Sequence, residues 1–192
     1  MRAITFDIET KMVPLSRGRL DPSELEVTVV GIHDSTTNEY QSFLDTELGK
    51  LWPIFEQADM LIGFNSDSFD IPVLNKYYAG DLSRIRSLDL LSEVHKVLGR
   101  RIRLEALAQA TLGRGKKGDG KKAGEWWDQG LFDKVREYCL EDVRLTRELY
   151  EYARTHGHLK FKDLNKVQEI KLDTSEWESP GQTHSLTHTL PF

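Results

Sequence analysis

Residues 2–9 of the chain read RAITFDIE, and the alternation over residues 2–8 predicts a β-strand. The even-numbered positions from Ile4 to Ile8 hold three apolar side chains, while the odd-numbered positions, which include Asp7 and Glu9, face the other way. Two adjacent carboxylates repel each other, and burial increases the repulsion unless a cation lies between them. An exposed strand end with two solvated acids explains the same spacing, and Asp-x-Glu by itself favours that plainer interpretation.

Downstream of this strand, the pattern alternates between strands and helices. Further strands are predicted at residues 27–33, 38–43, 60–65 and 87–90, and helices at residues 46–58, 70–80, 92–98, 103–112 and 131–154. Pro53 is expected to interrupt the first of these helices or to mark its true first turn. A loop is expected at residues 11–24, and residues 174–192 show no clear pattern. The order of elements predicts an α/β fold, a mixed β-sheet flanked by α-helices.

The composition is that of a globular domain with an ordinary core. The chain has 192 residues, of which 39% are hydrophobic and 30% charged. No apolar run approaches the ~20 residues of a membrane-spanning helix, and no signal peptide is visible. The single cysteine, Cys139, excludes an internal disulfide and fits a reducing compartment. We therefore expect a cytoplasmic protein that does not associate with membranes.

The net charge of −5 gives no indication of nucleic-acid binding, but the positive charge is concentrated in one stretch. Residues 100–122 hold eight basic residues against two acidic ones, a local excess of six positive charges. Within this stretch, residues 113–124 (GRGKKGDGKKAG) contain five glycines and no large apolar residue, which predicts a mobile loop. A phosphate backbone requires such a local basic patch, although a solvated charge run explains it equally well.

Further acids lie far along the chain. Asp70 follows an apolar strand at the predicted start of a helix, where capping of the helix N-terminus is a strong alternative explanation. Tyr138 and Asp142 are four residues apart on one face of the helix at residues 131–154. A salt bridge to an arginine would explain Asp142 alone, whereas a shared metal would explain Asp142 together with Asp7 and Glu9. Carboxylate oxygens suit Mg²⁺ or Mn²⁺, and convergence of these acids predicts a phosphodiester-cleaving enzyme.

Three motifs carry a resemblance to a known family: FDIET at residues 6–10, GFNSDSFD at 63–70 and YCLEDVRLT at 138–146. In this order they resemble the three exonuclease motifs of the DEDD 3′–5′ exonuclease superfamily, which has a ribonuclease H-like fold. A tyrosine four residues before the last aspartate resembles the DEDDy branch, since the DEDDh histidine position holds Glu137 here. The chain looks most like the exonuclease domain of family B DNA polymerases and like stand-alone bacterial proteins with that domain.

The resemblance implies a ribonuclease H-like exonuclease domain at residues 1–157, followed by a partly irregular C-terminal extension at 158–192. No polymerase module is recognisable, which favours a free-standing domain or one recruited by a replication or repair protein. The implied activity is metal-dependent 3′–5′ hydrolysis of single-stranded DNA with two divalent ions, Mg²⁺ or Mn²⁺.

The resemblance also assigns roles to individual residues. Asp7 would bridge both ions, Glu9 and Asp142 would complete the site of the ion that binds the attacking water, and Asp70 would hold the second ion largely through water. Tyr138 would orient that water through its hydroxyl, because a tyrosine with an ordinary pKa near ~10 is a poor base at neutral pH.

Substrate contacts are expected around these residues. Asn65 would bond the terminal nucleotide, and Phe69 would stack on an unpaired base, as would Trp126 or Trp127 unless they pack in the core. The basic loop would close over the strand and add affinity that depends on salt and not on sequence. Its candidate contact residues are Arg114, Lys116, Lys117, Lys121 and Lys122.

Three other functions remain open at this point. An exoribonuclease would use the same residues, because nothing in the motifs reads the 2′-hydroxyl. A non-catalytic nucleic-acid-binding module on the same fold is an alternative, since fold alone does not fix function. A structure-specific endonuclease is the third, and it alone would cut a closed circular strand.

Overall fold

The alternating residues at the start of the chain form the central strand of a five-stranded sheet. A computed structural model describes residues 1–11, 21–115, 121–164 and 166–179. The strands are β1 (Ala3–Thr10), β2 (Val27–Asp34), β3 (Glu39–Leu44), β4 (Met60–Gly63), β5 (Ser87–Asp89), β6 (His158–Asp163) and β7 (Lys166–Lys171). The large sheet has the order β3-β2-β1-β4-β5, with β1, β2 and β3 antiparallel and β4 and β5 parallel to β1. The sheet is therefore mixed, as predicted.

Helices cover both faces of this sheet. They are α1 (Leu48–Glu56), α2 (Asp70–Leu74), α3 (Leu90–Leu98), α4 (Leu104–Leu112), α5 (Lys121–Asp128) and α6 (Phe132–His156). The apolar face of β1 packs on α1 and α2, where Phe6 meets Phe55 edge to face at 5.4 Å. Each such buried side chain contributes about 1.5–3 kcal/mol. The other face packs on α4 and α6 and carries the odd-numbered positions, as the alternation predicts.

Helix α6 lies close to the sheet because β2 has a glycine beneath it. A Cβ atom at Gly31 would lie 3.0 Å from the Cys139 Sγ atom and 3.1 Å from a Val143 methyl group. Gly31 is the register partner of Asp7 in the β1–β2 pair. The close approach therefore occurs beside the first acidic motif, and it brings the middle of α6 over that part of β1.

Several predicted boundaries need correction. The helix expected at residues 70–80 ends at Leu74, and the loop expected at 113–124 is a helix from Lys121 onward. Pro53 neither interrupts α1 nor marks its first turn: it lies exposed inside α1, which is held by the buried Leu51 and Phe55 on its opposite face. Helix α3 begins at Leu90, earlier than predicted, because the Asp89 side chain caps it.

Sequence periodicity also missed the hairpin formed by β6 and β7. Only Leu159, Phe161 and Ile170 of the two strands are buried, and they join the core on the α4 and α6 side. Farther on, Trp177 stacks on Tyr150 of α6 at 5.7 Å. The domain boundary at residue 157 stays a prediction. Among the described residues, no helix has the length and apolar character that crossing a bilayer requires.

Candidate active site

The first acidic motif and the last one meet in space. Asp7 and Glu9 lie two residues apart on β1, and Asp142 lies on α6 across the close approach at Gly31. Each of the three carboxylates offers an oxygen, and these oxygens all lie within 4.8 Å of one another. All three side chains are half-buried. Residues separated by most of the chain thus form one cluster.

This cluster fits a hard divalent cation. Mg²⁺ holds oxygen ligands at about 2.1 Å, so two oxygens on opposite sides of one ion lie about 4.2 Å apart. The three oxygens lie within 4.8 Å of one another, so a small adjustment of the side chains brings them around one ion. Three partly buried negative charges at this spacing repel one another, and a cation among them removes the repulsion. The donor set contains only carboxylate oxygens, which favours Mg²⁺ or Mn²⁺ over zinc.

Asp70 lies next to the cluster and is almost completely buried. Its Oδ1 atom accepts a hydrogen bond of 3.1 Å from the backbone N–H of Ile8, the residue between the two acids of β1. Burial raises the pKa of Asp70 to about 7, and the nearby carboxylates of Asp89 and Asp142 act in the same direction. The carboxylate thus reaches across to β1. A cation beside it would favour its charged form.

Tyr138 lies one helical turn before Asp142 and is buried. Burial raises the pKa of its hydroxyl, and the carboxylates of Asp142 and Glu9 raise it further. The hydroxyl therefore keeps its proton throughout the physiological range. Trp126 holds the ring from the side, with the two ring centres 5.8 Å apart. A fixed, protonated hydroxyl beside an acidic cluster can orient a water molecule but cannot deprotonate it.

Two neighbours of the cluster were not singled out in the sequence. The thiol of Cys139 donates to the backbone oxygen of Asp7 at 3.3 Å, and its pKa is raised by burial and by the nearby acids. Cys139 therefore stays a neutral donor that supports Asp7. Glu105, in the first turn of α4, is close enough to raise the pKa of Tyr138. Adjacency to Tyr138 was a signal for Cys139, whereas the sequence around Glu105 gives none.

Asn65 lies just past the end of β4 and is bonded to Asp89 and Arg101. Its φ of 70° lies in the left-handed region, which asparagine tolerates better than most residues, and its backbone N–H donates to Asp89 at 2.7 Å. Its side-chain oxygen accepts a hydrogen bond from Arg101. Asp89 also caps α3 by accepting from the N–H of Leu91 at 2.9 Å.

The aromatic candidates are held partly by the core. Phe69 is half-buried against the cluster of apolar residues beneath α1 and α2. Trp126 and Trp127 are also half-buried and pack near Val29 and Val135, and Trp127 meets Phe132 at 4.7 Å. Core packing therefore buries much of both tryptophan side chains, and part of each stays exposed to solvent.

The basic candidates divide into three groups. Arg114 forms ion pairs with Glu141, at 3.4 Å, and with Glu148, so it is attached to α6. Lys122 is exposed on α5. Lys121 begins that helix but its side chain lies outside the described part of the structure, as do Lys116 and Lys117 entirely. The expected closing loop is thus known only at its two ends.

A cleft opens beside Tyr138, with a volume of about 530 Å³. Pockets for small ligands commonly measure about 300–1,000 Å³, so the cleft is large enough for one nucleotide. The residues that line it are Gly115, Trp126, Lys134, Glu137, Tyr138, Glu141 and Arg144. The cleft therefore presents aromatic and charged groups next to the acidic cluster.

Comparisons with known proteins agree with this geometry. A family model described as the RNase_H superfamily matches residues 4–154, more than half of the chain. Among solved structures, the chain is similar to the family B DNA polymerase from the hyperthermophilic archaeon Pyrobaculum calidifontis, with a TM-score of 0.60, 23% identity and coverage of 79% of this chain and 24% of that one. The chain thus spans about a quarter of the polymerase's length. No curated protein matches it. These likenesses confirm the predicted ribonuclease H-like α/β fold.

Proposed function

The chain belongs to the RNase_H superfamily, and from that membership we propose that it is a metal-dependent 3′–5′ exonuclease that hydrolyses single-stranded DNA. The observation that carries this proposal is the convergence of Asp7, Glu9 and Asp142, whose ligand oxygens lie within 4.8 Å of one another. Such a cluster on this fold supports a hydrolase that acts on nucleic acids. The order of the motifs and the position of Tyr138 support the DEDDy type.

Four acids would hold two divalent ions in this proposal. Asp7 would serve both ions, Glu9 and Asp142 would complete one ion site, and Asp70 would serve the other. When bound, such a pair of ions stabilises the attacking and leaving oxygens of an in-line displacement at phosphorus. The cluster as described supports one ion directly through its three oxygens.

The chain's own side chains prepare this site for the ions. Cys139 donates its S–H to the backbone oxygen of Asp7 at 3.3 Å, and the N–H of Ile8 donates to Asp70 at 3.1 Å. The first bond holds the backbone at Asp7, and the second holds the carboxylate of Asp70 before an ion arrives. Tyr138 offers a hydroxyl that stays protonated because its pKa is raised, and this hydroxyl orients the attacking water.

Contacts with the strand would come from both sides of the cluster. Asn65 and Phe69 follow β4 on one side, and the cleft beside Tyr138 lies on the other. The basic residues near α5 would add affinity for the backbone. Recruitment by a replication or repair protein and a cytoplasmic location remain part of the proposal.

The test is a cleavage assay with a single-stranded DNA oligonucleotide labelled at its 5′ end, in Mg²⁺ or Mn²⁺. We expect a ladder that shortens from the 3′ end, and we expect Asp7→Ala to abolish it while leaving the thermal unfolding profile cooperative. Asp133→Ala is the matched control, because Asp133 is exposed in the first turn of α6, and it should cleave like the wild type.

The outcomes of this assay distinguish the proposed function from the alternative functions. Cleavage of a matched RNA strand in preference to DNA would make the protein an exoribonuclease, and cleavage of a closed circular strand would make it an endonuclease. Tight strand binding in EDTA with no cleavage in either metal would instead indicate a binding module.

A further inference from the structure

One arginine at the edge of the candidate site contacts a neutral group. Arg101, in the segment between α3 and α4, donates from its guanidinium to the side-chain oxygen of Asn65. An amide oxygen carries no charge, so this bond leaves the positive charge of the arginine uncompensated. Among the described residues, Arg101 takes part in no ion pair, and its side chain is exposed.

Two other arginines of the basic stretch, Arg100 and Arg114, are engaged in ion pairs. Arg100 pairs with Asp163 at 3.4 Å and lies over the ring of Phe161 at 5.4 Å, so it faces the β6–β7 hairpin. Arg114 pairs with two glutamates of α6. Arg101 is therefore distinguished from these two arginines by a charge that an anionic ligand could neutralise.

Strand register places Asn65, the hydrogen-bond partner of Arg101, near the level of the acidic cluster. β4 runs parallel to β1 with Ile62 opposite Thr5, so residues just past Gly63 reach the level of Asp7. Neighbouring strands lie about 4.8 Å apart. Asn65 leaves the sheet at this level, and Arg101 bonds to it. The guanidinium thus lies along the β4 side of the acidic cluster.

The segment that carries Arg101 continues along the same site. Glu105, four residues later, lies close enough to Tyr138 to raise the pKa of its hydroxyl. Residues 101–105 therefore extend from Asn65 toward Tyr138. A strand that enters the cluster to be cut would pass this segment.

We propose that Arg101 binds a phosphodiester group of the substrate strand next to the bond that is cut, and that Asn65 positions its guanidinium. This inference rests on the proposed function and names a contact of that same site. A guanidinium has five N–H donors, and the bond to Asn65 leaves several for phosphate oxygens, which it can bind in pairs. The support for Asn65 is rigid, because its backbone N–H is held by Asp89 at 2.7 Å.

The test measures binding of a 5′-fluorescein single-stranded DNA oligonucleotide by anisotropy, in Ca²⁺, over a series of salt concentrations. Cleavage is followed separately in Mn²⁺. The variant is Arg101→Gln, which keeps a donor for Asn65 but removes the charge. We expect binding at low salt to weaken about tenfold, and the slope of log affinity against log salt to fall by about 0.7, the value for one phosphate contact on a single strand.

Two matched variants make this result specific. Arg100→Gln removes a charge from the adjacent residue, which faces the hairpin, and should leave both the affinity and the slope unchanged. Asn65→Ala removes the positioning partner and should weaken binding while the salt slope stays near that of the wild type, because the charge of Arg101 remains.

Each outcome decides something. If Arg101→Gln has the same salt slope as the wild type, the inference is overturned and Arg101 only supports Asn65. In that case, cleavage of the strand by the wild-type protein would still leave the proposed function standing. Failure of the wild type to bind or cleave any strand would overturn both. Should Arg101→Gln fold poorly, as judged by circular dichroism, Arg101→Lys takes its place: the point charge keeps the salt slope, and the loss of paired hydrogen bonds still weakens binding.

Discussion

At Tyr138, burial and several carboxylates act in the same direction on one hydroxyl group and raise its pKa. We expect Tyr138→Phe to lower the cleavage rate about 10- to 100-fold, because the ring still packs on Trp126 while the donor that orients the water is lost. Single-turnover rates in Mn²⁺ measure this effect directly.

Tyr150→Phe provides the control for that loss. Tyr150 lies on the same helix, and its hydroxyl donates to Glu178 of the C-terminal extension at 3.2 Å, away from the acids. Its removal should leave the cleavage rate within about twofold of the wild type while lowering stability by roughly 1 kcal/mol. Equal rates for Tyr138→Phe and the wild type would remove Tyr138 from the mechanism.

The residues that sequence predicted are those whose type and spacing carry a chemical signal. Asp7, Glu9 and Asp142 could be named because carboxylates in strand and helix registers fit a metal site. Adjacency to Tyr138 drew attention to Cys139 but did not give its role, and nothing indicated a role for Arg101, because both roles come from partners far away in the chain, Asp7 and Asn65. A side chain that acts through a distant neighbour leaves no local pattern to read.

The close approach of α6 to the sheet brings Asp142 near Asp7 and Glu9. Gly31→Ala would put a methyl group 3.0 Å from Cys139, so α6 must move away by a few tenths of an ångström. We expect a loss of about 1–3 kcal/mol in the free energy of unfolding, which is typical of overpacking. Since Asp142 moves with the helix, the concentration of Mn²⁺ needed for cleavage should also rise.

Gly49→Ala separates this effect from the general effect of replacing a glycine. Gly49 lies in α1, and nothing lies within 4 Å of the position that its Cβ would occupy. An alanine there should stabilise the helix by roughly 0.5–1 kcal/mol and leave the Mn²⁺ dependence unchanged. Urea unfolding and metal titration of both variants provide the comparison, and an unaltered Mn²⁺ requirement in Gly31→Ala would contradict the prediction.

A second connection ties α6 to the edge of the sheet and predicts a dependence on pH. The N–H of Leu44 donates to Glu47, Arg136 of α6 pairs with it at 2.7 Å, and these contacts lower its pKa to about 2. The folded protein therefore holds the charged form more strongly than the unfolded chain does. This contribution to stability is present above the ordinary pKa of 4.5 and is lost as the pH falls toward about 2.

Urea midpoints of the wild type and Glu47→Gln, measured between pH 7 and pH 2.5, test this connection. The wild type should be the more stable protein at pH 7, and the difference should shrink steadily below about pH 4.5, where Glu47 takes up a proton in the unfolded chain but keeps its charge in the folded protein. A difference that stays constant over this range would show that the carboxylate charge contributes nothing. No loss of the difference is expected between pH 7 and pH 5.

Among the elements, those with strong periodicity were predicted and those formed by tertiary contacts were not. The apolar face of α6 predicted the bounds of this helix to within two residues at each end. Helix α2 is short because Asn75 bonds to Asp81 and to the N–H of Leu82, which turns the chain back. The β6–β7 hairpin exists because the core on the α4 side accepts its inner side chains, a fact that no local pattern encodes.

On the scale of the whole molecule, the candidate site lies where one face of the sheet meets α6, and both are buried by the same core. That core also includes residues of the C-terminal extension, such as Leu172 and Trp177. Arg86, next to β5, donates to the backbone oxygen of Trp177 at 3.2 Å and so ties the extension to the sheet edge. Metal binding or a change of charge at the acidic cluster should therefore alter the stability of the whole fold.

Metal binding provides the measure of that coupling. Three carboxylates within 4.8 Å repel one another in the metal-free protein, so Asp142→Asn should unfold at the same temperature as the wild type or higher in EDTA. With Mn²⁺ at about 100 times its dissociation constant, the wild type should gain about 2.7 kcal/mol. The variant should gain much less, because it has lost a ligand.

The order of the two melting temperatures should thus reverse between EDTA and Mn²⁺. Asp133→Asn removes an exposed acid from the same helix and should follow the wild type in both solutions. Equal gains in the wild type and Asp142→Asn would mean that Mn²⁺ binds elsewhere. A reversal would instead show that the acids of β1 and α6 bind the same ion, because an ion held by both removes their repulsion and stabilises the folded protein.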